Sequence, residues 1–124
     1  MLRALRRAFL PVLLASLGVT SLVWALHTAL VKATPAIDGT VTAPPADLTL
    51  WFNERPDLSL SNIRLRAPDS SYAELGGVKA GTDSTALTVP VHGTLKPGKY
   101  TVLYRTAGDD GHVMRGSYSF TLQP

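Results

Sequence analysis

From residue 28 onward the chain alternates apolar and polar residues in short runs, which Pro, Gly and Asp residues separate. In the run 47–53, Leu48, Leu50 and Phe52 fall on one side, which is the period of a strand with one buried face. No window of helical length keeps an apolar period of about 3.6 residues. The pattern predicts eight strands, at 28–33, 40–42, 47–53, 61–66, 72–75, 85–91, 99–106 and 115–122.

The segments between these runs contain residues that favour tight turns. Ile37-Asp38-Gly39 and Lys96-Pro97-Gly98 combine residues that preset φ with residues that tolerate a positive φ. Seven or eight short strands joined by such turns are typical of two packed antiparallel sheets. We therefore predict an all-β fold, an immunoglobulin-like Greek-key β-sandwich or barrel of seven or eight strands that follows an N-terminal signal segment.

Residues 1–26 have a different composition from the rest. Their only charged residues are three arginines, and residues 9–26 form an uncharged apolar run. This arrangement predicts a signal peptide that directs export and leaves 27–124 as a single domain. An uncleaved membrane anchor is the alternative, because 18 apolar residues can just span a bilayer. The adjacent Arg6-Arg7 leaves the twin-arginine route open beside the general secretory route.

Charge and cysteine content exclude several classes of function. Without the three leader arginines, nine of the 12 basic residues remain, and they balance the 9 acidic residues. A neutral body lacks the broad positive field of nucleic-acid binding proteins, so we expect no nucleic-acid partner. The chain has no cysteine, which excludes disulfides and thiolate metal sites. Any metal would need nitrogen, oxygen or thioether ligands.

The segment Gly108–His112 carries the chain's most informative chemistry. Its Asp110-Gly111 pair lies between two predicted strands, and Asp-Gly is a common hairpin turn. The same turn places the Asp110 carboxylate and the His112 imidazole two residues apart. Together with His27, far upstream, these side chains indicate a metal site. An ordinary hairpin turn remains the alternative.

Four motifs, in order along the chain, resemble those of the CopC family of periplasmic copper-binding proteins. They are His27–Ala36, Leu48–Glu54, Leu95–Val102, and Asp110–His112 with Gly116–Phe120. The resemblance implies an immunoglobulin-like sandwich or barrel that carries Cu(II) between its amino terminus and the late Asp-x-His loop. It implies His27, Asp110 and His112 as the metal ligands, with Glu54 matching an acidic residue that supports the site.

The resemblance also implies a role, which is that of an exported carrier or buffer of one Cu(II) in copper homeostasis or resistance. Its location would be periplasmic or otherwise outside the cytoplasmic membrane, and its partner a CopD-like integral membrane copper transporter. Independently of the family, imidazole, amine and carboxylate groups suit Cu(II), which favours tetragonal nitrogen and oxygen sites. We expect a monomer and no enzymatic activity, since no constellation of nucleophile, base and orienting group is present.

Two features depart from the family's usual pattern. The family exposes its histidine by cleavage, whereas here Leu26 precedes His27 and the better cleavage site follows Ala25. We therefore predict a mature amino terminus at Leu26 or His27. In addition, Arg55 follows Glu54 where the family has proline, and an ordinary surface carboxylate is the alternative for Glu54.

The remaining histidine and methionines do not indicate a second metal site. His92 precedes a glycine near the end of a predicted strand and is expected to be an exposed loop residue. Met1 belongs to the leader, and Met114 alone cannot form a thioether site for Cu(I). The main alternative function is a metal-free immunoglobulin-like interaction module, tethered near the membrane by its apolar leader.

Overall fold

A computed structural model of the chain describes residues 28–124, which form two four-stranded sheets. The strands are β1 (Leu30–Thr34), β2 (Thr40–Val41), β3 (Asp47–Phe52), β4 (Asn62–Arg66), β5 (Lys79–Ala80), β6 (Ala86–Pro90), β7 (Gly98–Ala107) and β8 (Val113–Leu122), and a short 3₁₀ turn spans Leu58–Leu60. The first sheet has the order β1-β3-β6-β5 and the second the order β2-β8-β7-β4. All neighbours pair antiparallel except β2 and β8, which are parallel. The predicted signal segment 1–26 and His27 lie outside the described residues.

The core forms because each strand turns its apolar positions to one side. In β3, Leu48, Leu50 and Phe52 are buried while the residues between them are half-buried. They belong to one cluster with Val102 of β7 and Phe120 of β8, so the apolar faces of the two sheets share a single core. Burial of such side chains is the main favourable term in folding. The prediction of an all-β immunoglobulin-like sandwich is confirmed.

The predicted strand at 72–75 is wrong. This segment makes two isolated bridges, one of Tyr72 with Arg66, the last residue of β4, and one of Leu75 with Val91, just after β6. Those partners belong to different sheets, so the segment crosses from one sheet to the other and cannot run along either. Lys79–Ala80 (β5) pairs with β6 instead and completes the first sheet.

The hairpin of β7 and β8 positions the late loop. Its two strands pair without interruption from Gly98 opposite Leu122 to Ala107 opposite Val113. The residues between Ala107 and Val113 therefore connect the two longest strands at one end of the sandwich. A loop held on such a hairpin is a common place for binding residues.

Among residues 28–124, no helix has the length and apolarity that crossing a bilayer requires.

Tyr118 offers a test of the core. Its side chain is buried, and its hydroxyl has no hydrogen-bond partner within residues 28–124. Burial also raises the pKa of Tyr118 well above its ordinary value. Because a buried unpaired hydroxyl is costly, Tyr118→Phe is expected to raise the free energy of unfolding by about 1 kcal/mol, measured by denaturant titration.

The matched control is Tyr100→Phe. The Tyr100 hydroxyl donates a hydrogen bond to the Lys96 carbonyl oxygen at 2.7 Å. Its loss is expected to lower the free energy of unfolding by about 1 kcal/mol. Equal destabilisation by the two substitutions would contradict the difference in hydrogen bonding between the two tyrosines.

Candidate metal centre

Asp110 and His112 face each other on the loop between β7 and β8. Asp110 Oδ1 accepts a hydrogen bond from the His112 backbone amide at 3.1 Å, and its Oδ2 lies 2.8 Å from His112 Nδ1. Both side chains are accessible, with 44% of Asp110 and 74% of His112 exposed. Gly111 between them has a φ of +74°, a left-handed conformation that glycine adopts without strain. The loop therefore presents a carboxylate and an imidazole together at the surface.

Between Thr28 and Pro124, three further aspartates make the corresponding hydrogen bonds with a hydroxyl in place of the imidazole. In each case an aspartate Oδ1 accepts hydrogen bonds from both the backbone amide and the side chain of the second residue after it. The pairs are Asp57 with Ser59, Asp69 with Ser71, and Asp83 with Thr85. Aspartate in such turns is ordinary local structure. The turn at Asp110 differs from these three by the imidazole of His112 and not by its aspartate.

The three hydroxyl-containing turns show what this arrangement does to a carboxylate. The Ser59 and Ser71 hydroxyls, followed by backbone amides, lower the pKa values of Asp57 and Asp69. The Thr85 amide and hydroxyl lower the pKa of Asp83 in the same way. Hydrogen bonds to a carboxylate favour its charged form. In these three turns the hydrogen bonds thus favour the ionised form of the carboxylate.

Glu54 joins the start of the described chain to this loop. Its Oε1 accepts a hydrogen bond from the Thr28 hydroxyl, and Thr28 is 3% exposed. Both side chains pack against Gly108, the first residue of the loop. A Cβ placed on Gly108 would collide with the Glu54 carboxylate and lie 2.6 Å from Thr28 Oγ1. Only glycine at position 108 fits this arrangement without displacing Glu54 or Thr28.

Further hydrogen bonds fix the chain on both sides of Glu54. Ala29 donates its backbone amide to Asn53 Oδ1 at 2.8 Å, and the Asn53 amide donates to the Ala29 carbonyl oxygen at 2.9 Å. The Asp57 amide donates to the Ala107 carbonyl oxygen at 2.7 Å. Thr28 and Ala29 are therefore held at the same end of the sandwich as the Gly108–His112 loop.

The structure brings some of the predicted site residues together and places others elsewhere. Asp110 and His112 come together, and Glu54 lies against the base of their loop. His27 lies outside the described residues. His92 is elsewhere, after β6, where its amide donates to the Glu74 carbonyl oxygen. Asp109 lines a separate cleft of about 580 Å³ together with Arg55.

The loop places two groups that can bind a metal beside each other. Asp110 Oδ2 and His112 Nδ1 are joined by a hydrogen bond of 2.8 Å. Within residues 28–124, no three His, Cys, Asp or Glu side chains are grouped closely enough to hold a metal.

Sequence reasoning included Gly108 in the loop and Thr28 in the first family motif, but it did not predict that both contact Glu54. Thr28 follows His27 directly, and Gly108 begins the loop, but neither residue carries a metal-binding group. Their contact with Glu54 joins segments that are 26 residues or more apart in the sequence. The repeated Asp-x-Ser/Thr pattern was visible in the sequence and could have shown that Asp110 has a structural role as well.

Comparison with known proteins identifies similar chains over nearly the whole length. Residues 30–123 match the family model described as the CopC domain. Protein YobA of Escherichia coli (strain K12) is 37% identical over 122 residues, covering 98% of this chain and 96% of the relative. Copper resistance protein C of Pseudomonas syringae pv. tomato is 29% identical over 124 residues, covering 95% of this chain and 97% of the relative.

A solved structure shows the same fold. The crystal structure of CopC from Methylosinus trichosporium OB3b superposes with a TM-score of 0.71 at 30% sequence identity. The superposition covers 79% of this chain and 95% of the other. The two-sheet arrangement described above is thus also the arrangement of an experimentally determined protein.

Proposed function

The chain belongs to the CopC family, and from this premise we propose that it is an exported protein that binds one Cu(II) ion through His27, Asp110 and His112. Family membership confirms the resemblance predicted from the sequence motifs. The name of the Pseudomonas relative connects that protein with copper resistance. Copper is the cargo in this proposal, and the protein is a binding protein and not an enzyme.

One observation carries the proposal. The Asp110 carboxylate and the His112 imidazole lie 2.8 Å apart on one loop. Glu54 bonds to Thr28, the residue next to His27, and both pack against the first residue of that loop. This arrangement favours a site between the amino terminus and the loop. Imidazole, amine and carboxylate ligands are those that Cu(II) accepts in tetragonal geometry.

Glu54 has a supporting role in this site. Its carboxylate accepts the Thr28 hydroxyl and so fixes the backbone that leads to His27. Groups that orient ligands without touching the metal contribute strongly to metal affinity. The carboxylate also adds negative charge near a divalent cation, which favours binding.

Copper would take the place of the hydrogen bond between the Asp110 carboxylate and the His112 imidazole. Protons and metal then compete for the same imidazole, so affinity falls as the pH is lowered. An exported protein of this kind can hold Cu(II) and release it to a partner. We propose the role of carrier or buffer in copper homeostasis or resistance, outside the cytoplasmic membrane, with a CopD-like membrane transporter as the recipient.

The experiment combines intact mass with copper titration on protein recovered from the exported fraction. We expect a mature amino terminus at Leu26 or His27 and one equivalent of Cu(II), with a single axial nitrogen-and-oxygen spectrum in electron paramagnetic resonance. Lowering the pH is expected to release the metal. A control protein with residues added ahead of His27 lacks the terminal amine beside it and should bind copper more weakly.

Three outcomes would contradict the proposal. A mature chain that starts at Thr28 or later would remove His27 as a ligand. Two equal copper sites, or no binding, would exclude the one-ion carrier. A mass that includes residues 1–25 would favour the tethered protein and leave His27 with its imidazole alone.

A further inference from the structure

The second sheet has an unbalanced charge. Its four strands contain no aspartate or glutamate, although the domain as a whole is neutral. They contain five of the nine basic residues that follow the leader, which are Arg64, Arg66, Lys99, Arg105 and Arg115. The positive charge of the domain is thus concentrated on one of its two sheets.

All five basic side chains lie on the outer face of this sheet. In each strand they alternate with core residues, as Arg64 does with Ile63 and Leu65. The register places Arg105 between Asn62 of β4 and Arg115 of β8. Four of the five side chains are exposed and Arg66 is half-buried. We call this surface the basic face.

The basic face is not neutralised from within the domain. Arg105 and Arg115 are direct cross-strand neighbours, an arrangement of like charges that destabilises a sheet. None of the five side chains forms an ion pair with an acidic residue in the part of the chain from Thr28 to Pro124. Arg64 instead stacks on the Tyr72 ring, 4.5 Å from its centre. An anionic partner would remove this repulsion.

We propose that the basic face binds the anionic phospholipid headgroups of a bilayer surface. A groove of about 270 Å³ on this face is lined by Arg64, Arg105 and Arg115, among other residues. The planar guanidinium group bonds phosphate oxygens in pairs, and three such groups around one groove suit a phosphate. Tyr72 at the edge is half exposed, and tyrosine is favoured where an apolar ring meets a polar surface.

The composition of the face favours lipid over a protein partner. Protein interfaces depend on large apolar or aromatic anchors near their centre. Apart from Leu103 and Val113, the outward positions near the basic residues are small or polar, namely Thr101, Ser117, Ser119 and Thr121. A basic surface on which such residues predominate is suited to a layer of headgroups, where binding is electrostatic.

The test measures binding of the exported protein to vesicles by co-sedimentation. Vesicles of phosphatidylglycerol mixed with phosphatidylcholine are compared with phosphatidylcholine alone. The triple variant Arg64→Gln, Arg105→Gln, Arg115→Gln is compared with a control that loses three cations elsewhere, Lys32→Gln, Lys79→Gln, Lys96→Gln. Both variants keep the same amino terminus, so any contribution of a retained leader cancels.

The wild-type protein is expected to prefer the anionic vesicles. Each cation near an anionic surface contributes about fivefold, so the arginine variant should bind roughly a hundredfold more weakly. The lysine variant should lose much less. About 0.5 M NaCl should reduce wild-type binding to the level of the arginine variant, because salt screens exposed charges.

Several results would overturn the proposal. One is equal binding to both kinds of vesicle by the wild-type protein, and another is an equal loss in the two variants. A third concerns soluble poly-L-glutamate. If its affinity per negative charge equalled that of the vesicles, the result would favour an acidic protein partner. Circular dichroism and denaturant unfolding of both variants show whether the fold is intact. The outcome does not depend on copper binding.

Discussion

Replacing His112 with serine is expected to lower the affinity for Cu(II) by more than about a hundredfold and to leave the fold intact. Loss of a group that only orients a metal ligand costs about 10 to 100-fold in affinity, and loss of a ligand should cost more. Serine is the informative replacement because the turn at Asp69, where Ser70 has a positive φ as Gly111 does, already has serine at the equivalent position. The variant turn should therefore form as that one does.

Copper affinity is measured by competition with a chelator of known affinity, and stability by denaturant unfolding. The matched control is His92→Ser, which removes another exposed histidine whose ring lies against Gly76, away from the Gly108–His112 loop. It should leave the copper affinity unchanged. If both serine variants lost the same copper affinity, the site would not lie at the Gly108–His112 loop. Unchanged affinity in the His112 variant would exclude that imidazole as a ligand.

Gly108→Ala is expected to weaken Cu(II) binding by about 10 to 100-fold, although residue 108 has no metal-binding group. The new Cβ would occupy the space of the Glu54 carboxylate, and the flexible Glu54 side chain is the group best able to move. Its displacement breaks the hydrogen bond from Thr28 and loosens the segment that leads to His27. Because that bond joins a carboxylate to a buried hydroxyl, its loss should lower the free energy of unfolding by about 1 to 3 kcal/mol.

The control for this prediction is Gly77→Ala. A Cβ at Gly77 would meet no atom within 4 Å, so this alanine should change neither copper affinity nor stability appreciably. Glu54→Gln provides a second comparison, since it keeps the size of the side chain and removes its charge. A Gly108→Ala protein that lost stability while keeping full copper affinity would show that the contact between Gly108 and Glu54 is structural only.

Most of the fold could be predicted from local patterns. Alternation in 47–53 and 99–106 gave the right strands because one face of each sheet is buried and the other meets solvent. The prediction of a strand at 72–75 was wrong for a reason that no short stretch of sequence contains. Tyr72 and Leu75 bridge to different sheets, and this follows only from the position of those sheets in space.

The candidate site could be predicted in part. Asp110 and His112 are close in sequence, so a turn brings them together whatever the rest of the chain does. Glu54 was identified only through the family motif, because its contacts with Thr28 and Gly108 depend on tertiary structure. Periodicity and spacing contain no information about such contacts.

The edge strands of the two sheets affect how the protein behaves among other copies of itself. An open sheet edge can template pairing with another chain and so begin aggregation, unless it is short, bulged or charged. The edge strands β2 and β5 have two residues each, and β1 is interrupted by a bulge beside Lys32. The fourth edge, β4, carries Arg64 and Arg66. From Thr28 to Pro124, every sheet edge thus carries a feature that resists strand pairing between copies of the protein.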